Sequence, residues 1–221
     1  MARGVVGRTR LVSPTRVWLA WLTANVLPSV IVSLLLVMVD ESLGTDASTI
    51  GAYAVLFALV AVLQARVWQR CRSGAAPGAG PARWVTWTLI GLVVAMFFGV
   101  GTLATLDGLG NERLGLIGGW VIAGLVLGLA QAPMLGVTAG RAGWWVAASV
   151  VGWAAAAALY GPLAKMAAPV VGAPGGRWLL GGLALEGNVE LAITAVTLAT
   201  YGALTGAVLA RFRPAITPRA P

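Results

Sequence analysis

Residues 119–153, GWVIAGLVLGLAQAPMLGVTAGRAGWWVAASVVGW, decide the fold. Between Arg113 and Lys165 the only charged side chain is Arg141. On either side of it lies an apolar run, near 115–137 and 143–164. At roughly 1.5 Å per residue, each run can cross a hydrocarbon layer of about 30 Å. Two such runs hinged on one basic residue read as a helical hairpin that enters and leaves a membrane. Working outward, four more runs appear near 17–39, 48–65, 84–106 and 189–210.

The composition agrees. Of 221 residues, 59% are hydrophobic and 10% charged, with a mean hydropathy of +0.88. A soluble domain carries roughly 25% charged residues, so this chain cannot cover a water-facing surface. It has no His and one cysteine, Cys71, which excludes a disulfide framework, His-based catalysis and most metal sites. The expected fold is all-α: six transmembrane helices arranged as three hairpins over 16–72, 83–141 and 142–213.

Charge sets the expected orientation. Arg3, Arg8, Arg10, Arg16, Arg66, Arg70, Arg72, Arg83, Arg141, Arg211, Arg213 and Arg219 all fall on one side of the alternating spans. All seven acids, Asp40, Glu41, Asp46, Asp107, Glu112, Glu186 and Glu190, fall on the other, with Arg113, Lys165 and Arg177. The positive-inside rule then places both termini in the cytoplasm. The net charge of +8 therefore reflects topology and lipid phosphate contact, and no nucleic acid partner is expected. The first apolar run is too long for a signal-peptide core, and Asp40-Glu41 follows it, so it reads as a retained span. Trp18, Trp21, Trp68, Trp84, Trp87, Trp144 and Trp145 lie at the cytoplasmic ends of spans, with Trp120 and Trp178 at the outer boundary, as an interfacial aromatic belt would.

The hairpins resemble one another. Trp18-Leu19-Ala20-Trp21 recurs as Trp84-Val85-Thr86-Trp87, and Trp144-Trp145 opens the third unit. Gln64-Ala65-Arg66 matches Gln131-Ala132-Pro133 and, more weakly, Leu209-Ala210-Arg211, preceded by Ala61, Gly128 and Gly206. This suggests a pseudo-threefold repeat about the membrane normal. Residues 73–82 read as a flexible cytoplasmic linker and 165–188 as an outer loop.

Gly124-x-x-x-Gly128-Leu129-Ala130-Gln131, the basic turn at Arg141, Gly143-Trp144-Trp145 and Gly152-Trp153 resemble a loose group of bacterial multi-pass membrane proteins. Their repeated hairpins end in Gly-Leu-Ala-Gln and lead into a Gly-Trp-rich span. The resemblance covers roughly residues 115–155. It implies a bacterial cytoplasmic (inner) membrane setting and carries no mechanism.

Inside the spans, small residues stand four apart: Gly124, Gly128, Ala132 and Gly136 in the fourth, Gly202, Gly206 and Ala210 in the sixth. This spacing lets helices approach closely where lipid provides no hydrophobic drive for association. The polar residues form faces: Asn25, Ser29 and Ser33 beside Pro28, then Gln64, Gln131, Thr194, Thr197, Tyr201 and Thr205. Proline leaves a carbonyl near residue 24 without its helical donor, which Asn25 or Ser29 could satisfy. Gln64 and Gln131 read as interhelical or interface-reaching amides, or else as ligand contacts at equivalent places in two repeats. No acidic or basic residue sits in mid-span, where ion-coupled transporters usually carry one; Lys165 and Glu190 come nearest and could pair. No nucleophile elbow, Walker loop, metal-ligand set or cofactor motif is present, so no enzyme activity is expected.

Two function classes fit. One is a non-catalytic accessory or structural membrane protein that packs in the bilayer against a membrane-protein partner or a second copy. The other is a channel or facilitator for a small uncharged solute, with a polar cavity lined by Asn25, Ser29, Thr197 and Tyr201. The orientation is testable in a Cys71→Ser background. Asp46→Cys is expected to react with an impermeant maleimide on intact cells, and Arg70→Cys only in inverted vesicles. Labelling of both from one side overturns the topology.

Overall fold

The computed structural model describes residues 13–38, 45–71, 80–108, 112–172 and 185–212. They form six helices: α1 (Pro14–Met38), α2 (Thr45–Cys71), α3 (Pro81–Gly108), α4 (Glu112–Gln131), α5 (Ala139–Gly172) and α6 (Leu185–Arg211). Each contains a segment long and apolar enough to cross a membrane, and no strand occurs among the described residues. The chain is an all-α, multi-pass membrane protein.

Local chemistry sets several helix ends. Ser13 caps α1: its Oγ accepts the Arg16 backbone N–H at 3.2 Å, with Pro14 at the first helical position, where no donor is needed. The expected fourth span ran to 137, but α4 stops at Gln131. Pro133 lacks an N–H and disfavours helical conformation in the residue before it, so the chain tightens into a 3-10 turn over Ala132–Leu135. Gly136 ends that turn at φ 61°, a left-handed conformation that glycine adopts without strain. Gly136 is therefore an exposed turn residue and no part of the α4 packing stripe; Ala132 leaves the helix too, although it still packs on the core.

Several loop expectations fall outside the described residues. These are most of the linker 73–82, residues 173–184 of the outer loop with Trp178, and the terminal arginines. The side chains of Glu186 and Glu190 lie outside them as well, and with Glu190 any pairing to Lys165, whose own side chain is exposed. The described arginines, Arg16, Arg66, Arg70, Arg83, Arg141 and Arg211, are exposed. They lie at or near the starts of α1, α3 and α5 and the ends of α2 and α6.

Helices adjacent in sequence pack together in space, and α6 packs along α1. The six therefore close into a ring. Glycines set the tightest approaches. A Cβ at Gly124 would lie 2.7 Å from the Ser149 carbonyl oxygen and 2.9 Å from Val150 Cα. At Gly128 it would meet Val146 Cα and Ser149 Cβ at 3.0 Å, so α4 and α5 run antiparallel in near backbone contact. Gly119 and Gly99 join α4 to α3, Gly152 meets Tyr201 of α6, and Gly202 and Gly206 meet Asn25 and Trp21 of α1.

Outward, Val93 and Phe97 of α3 are 70% and 77% exposed, apolar surface suited to lipid chains. Substituting Gly124→Ala is expected to destabilise the fold by about 1–3 kcal/mol through overpacking. Gly101→Ala, where an added Cβ meets nothing within 4 Å, should be neutral or mildly stabilising. Thermal unfolding in detergent checks both.

Candidate functional site

The interior is layered along the ring axis. At the arginine-bearing end, Trp21, Trp84 and Trp145, one from each odd-numbered helix, are all but completely buried. They touch pairwise, with ring centroids 5.9, 5.6 and 6.4 Å apart and interplanar angles of 86°, 77° and 72°. Edge-to-face contact of this kind places the positive edge of one indole on the negative face of the next. Trp68 lies tilted against Trp84, ring centroids 5.5 Å apart, and Met134 and Leu135 of the 3-10 turn join the same cluster.

This corrects the reading of these tryptophans as an interfacial belt. Trp87 and Trp144, 40% and 70% exposed, do face outward. Trp21, Trp84, Trp145 and Trp68 do not; they fill the end of the ring. The Trp-x-x-Trp match pairs Trp21 with Trp87, but the tryptophan that meets Trp21 inside the ring is Trp84, three residues earlier.

One turn after each central tryptophan stands a buried polar residue: Asn25, Thr88 and Ser149. Opposite them lie Gln64 and Gln131. The Asn25 amide donates to the Trp21 carbonyl oxygen at 2.8 Å, not to the carbonyl near residue 24 that the proline argument singled out. Because a carbonyl can only accept, this bond orients the rest of the chain. Asn25 Oδ1 accepts from Gln64 Nε2 at 2.9 Å. Gln64 Oε1 in turn accepts from Gln131 Nε2 at 3.3 Å, and the same Nε2 donates to Thr88 Oγ1 at 3.2 Å. Four helices are thus joined by one directed relay of amides. Neither glutamine reaches an interface; each is at most 1% exposed.

Farther from the arginine end, Leu92, Leu127 and Tyr201 form an apolar cluster flanked by Phe57 and Trp153, with contributions from α2 to α6. Thr197, Tyr201 and Thr205 of α6 are buried, Ser29 of α1 is buried, and Thr194 is half-buried. Thr194 Oγ1 meets Tyr53 Oη at 3.5 Å. The threonines bond locally: Thr197 Oγ1 donates to the Thr194 carbonyl and Thr205 Oγ1 to the Tyr201 carbonyl, both at 2.8 Å. Thr205 Oγ1 also accepts from Trp21 Nε1 at 3.0 Å. Asn25, Gln64, Gln131 and, through Trp21, Thr205 are brought together; Thr194 and Thr197 are not part of that relay. Thr88, Ser149 and the three central tryptophans were missed as interior polar and aromatic positions. The signal was a polar residue four places after a tryptophan in each odd helix.

Among the described residues no three His, Cys, Asp or Glu side chains gather as metal ligands. No protein family, curated protein or solved structure matches this chain.

Gln64→Leu would strand the Asn25 carbonyl and remove one partner of Gln131. A cost of about 1–2 kcal/mol is expected, within the range for membrane hydrogen bonds and orphaned polar groups. Because Gln64 and Gln131 bond directly, the double Leu variant should cost less than the sum of the singles. A thermal-unfolding cycle in detergent measures that coupling.

Proposed function

We propose that the chain is a non-catalytic component of a bacterial cytoplasmic membrane, an accessory or structural protein that packs in the bilayer with a membrane-protein partner or a second copy. One observation carries this reading: the interior amides bond to one another from helix to helix, with Gln131 Oε1 alone among their oxygens left without a protein partner. Asn25, Gln64, Gln131 and Thr88 bond across four helices, and clusters of buried apolar and aromatic side chains lie on both sides of them. A polar layer between two greasy layers is a device for fixing which helices pair and in what register. The resemblance of residues 115–155 to bacterial multi-pass proteins supports the choice of membrane, and the one-sided arginines support the orientation.

A facilitator for a small uncharged solute is the second reading. Its support is the polar face of α6. That face is weakened as a path by the threonine hydroxyls, which bond to their own backbone, as threonine in a membrane helix commonly does.

The two readings separate on reconstitution. Liposomes carrying the purified chain are expected to pass glycerol and urea no faster than protein-free liposomes, by stopped-flow light scattering. The same preparation in mild detergent should run as a dimer or as a stoichiometric complex. Accelerated flux by an isolated monomer overturns the proposal.

A further inference from the structure

The ring treats its three hairpins alike until the last. In the first hairpin Gln64 of the even helix donates to Asn25 of the odd helix. In the second, Gln131 donates to Thr88. The third hairpin has Ser149 on α5. Gly202 packs against Asn25 as Gly128 packs against Ser149, so three residues beyond each glycine, Thr205 is the counterpart of Gln131. Thr205 is too short to take a glutamine's place, and it turns its hydroxyl to the Tyr201 carbonyl.

The tryptophans repeat the comparison. Trp21 Nε1 donates to Thr205, the polar residue of the even helix beside it. By the same register Trp145 stands beside α4 and its Gln131. Yet Trp145 Nε1 and Gln131 Oε1 are both buried with no protein partner. Gln131 Nε2 faces Gln64 and Thr88, so its Oε1, on the other side of the same planar amide, is turned away from them. Next to this pair Ser149 Oγ lies against Gly128. The Tyr201 hydroxyl faces it without completing a hydrogen bond of ordinary geometry. A donor, an acceptor and two hydroxyls therefore stand without a protein partner at the corner where α4 and α5 meet; elsewhere among the described residues the buried Trp84 Nε1 and Trp153 Nε1 also lack one, but with no buried unpaired amide oxygen beside them. Orphaned buried groups of this kind cost about 1–3 kcal/mol each, and in native proteins a small bound molecule commonly answers them.

We propose that this corner, between Trp145 Nε1, Gln131 Oε1 and Ser149 Oγ, is a binding site for one small neutral hydroxylic molecule, water being the smallest of its class. The chemistry selects it. The occupant must accept from an indole N–H and donate to an amide carbonyl. A bare cation fails the first requirement and an anion the second; a hydroxyl meets both. The molecule takes the place of the missing third glutamine and completes the polar layer.

The test is an experimental map of the full chain in lipid nanodiscs, at a resolution that shows ordered water, with and without glycerol. Density within hydrogen-bonding distance of both Trp145 Nε1 and Gln131 Oε1 is expected. Density unchanged by glycerol identifies water, and density that grows identifies a small alcohol; either supports the site. Trp145→Phe removes the donor and should lose the density while Gln131 keeps its bonds to Gln64 and Thr88. A direct bond from Trp145 Nε1 to Gln131 Oε1 or Ser149 Oγ, with no density between, overturns the proposal. If Trp145→Phe does not fold, indole 15N-labelled wild-type chain decides. A magnetisation-transfer peak from water or glycerol hydroxyl to the Trp145 indole proton is expected, and its absence overturns the site.

Discussion

In hydrocarbon a side-chain amide has no solvent to fall back on, so it must find its partners on other helices. The rest of this interior is arranged around that constraint. Asn25 is anchored to the carbonyl of Trp21, and the direction of that single bond passes to Gln64, to Gln131 and on to Thr88. Sliding or rotating α2 or α4 would break bonds to two other helices. The apolar surfaces of α1 to α4 could pack in many registers at similar energy, but the relay admits one.

Close packing and the relay divide the labour. Glycines bring α3 against α4, α4 against α5, α5 against α6 and α6 against α1 to near backbone contact. The one glycine of α2, Gly51, makes no such approach; a Cβ there would meet nothing within 4 Å. Helix α2 reaches the centre through Gln64 instead, whose amide bonds to both α1 and α4. The tryptophan layer then packs the arginine-bearing end, Trp21, Trp84 and Trp145 each in contact with the other two.

Spans and hairpins were legible in the sequence because hydrophobic length is a one-dimensional property. Arg141 between two apolar runs announces a hairpin before any contact is known. The end of α4 was less legible: the small residues continue through Ala132 to Gly136, and only the backbone demands of Pro133 interrupt them. The tryptophans misled for a different reason. An indole at the end of a span can face headgroups or the bundle axis, and composition is the same for both; Trp84 and Trp87, three residues apart, do one each. Gln64 and Gln131 stood out as amides in apolar runs, but that they bond to one another depends on how α2 and α4 meet across the ring. Thr88 and Ser149 were hidden because a single hydroxyl in a span satisfies itself on its own helix so often that it carries little information.

The closing seam has a consequence for how the molecule is made. Trp18 donates to the Ala203 carbonyl and Trp21 to Thr205, bonds that span 185 and 184 residues of sequence. At synthesis rates of roughly 5–20 residues per second, α1 waits on the order of 10–40 s before α6 emerges. During that interval Trp21 and Asn25 border an unfinished flank in the bilayer. A ribosome that stalls before α6 leaves a chain with that flank bare, a lesion that membrane quality control could recognise by its uncovered indole and amide.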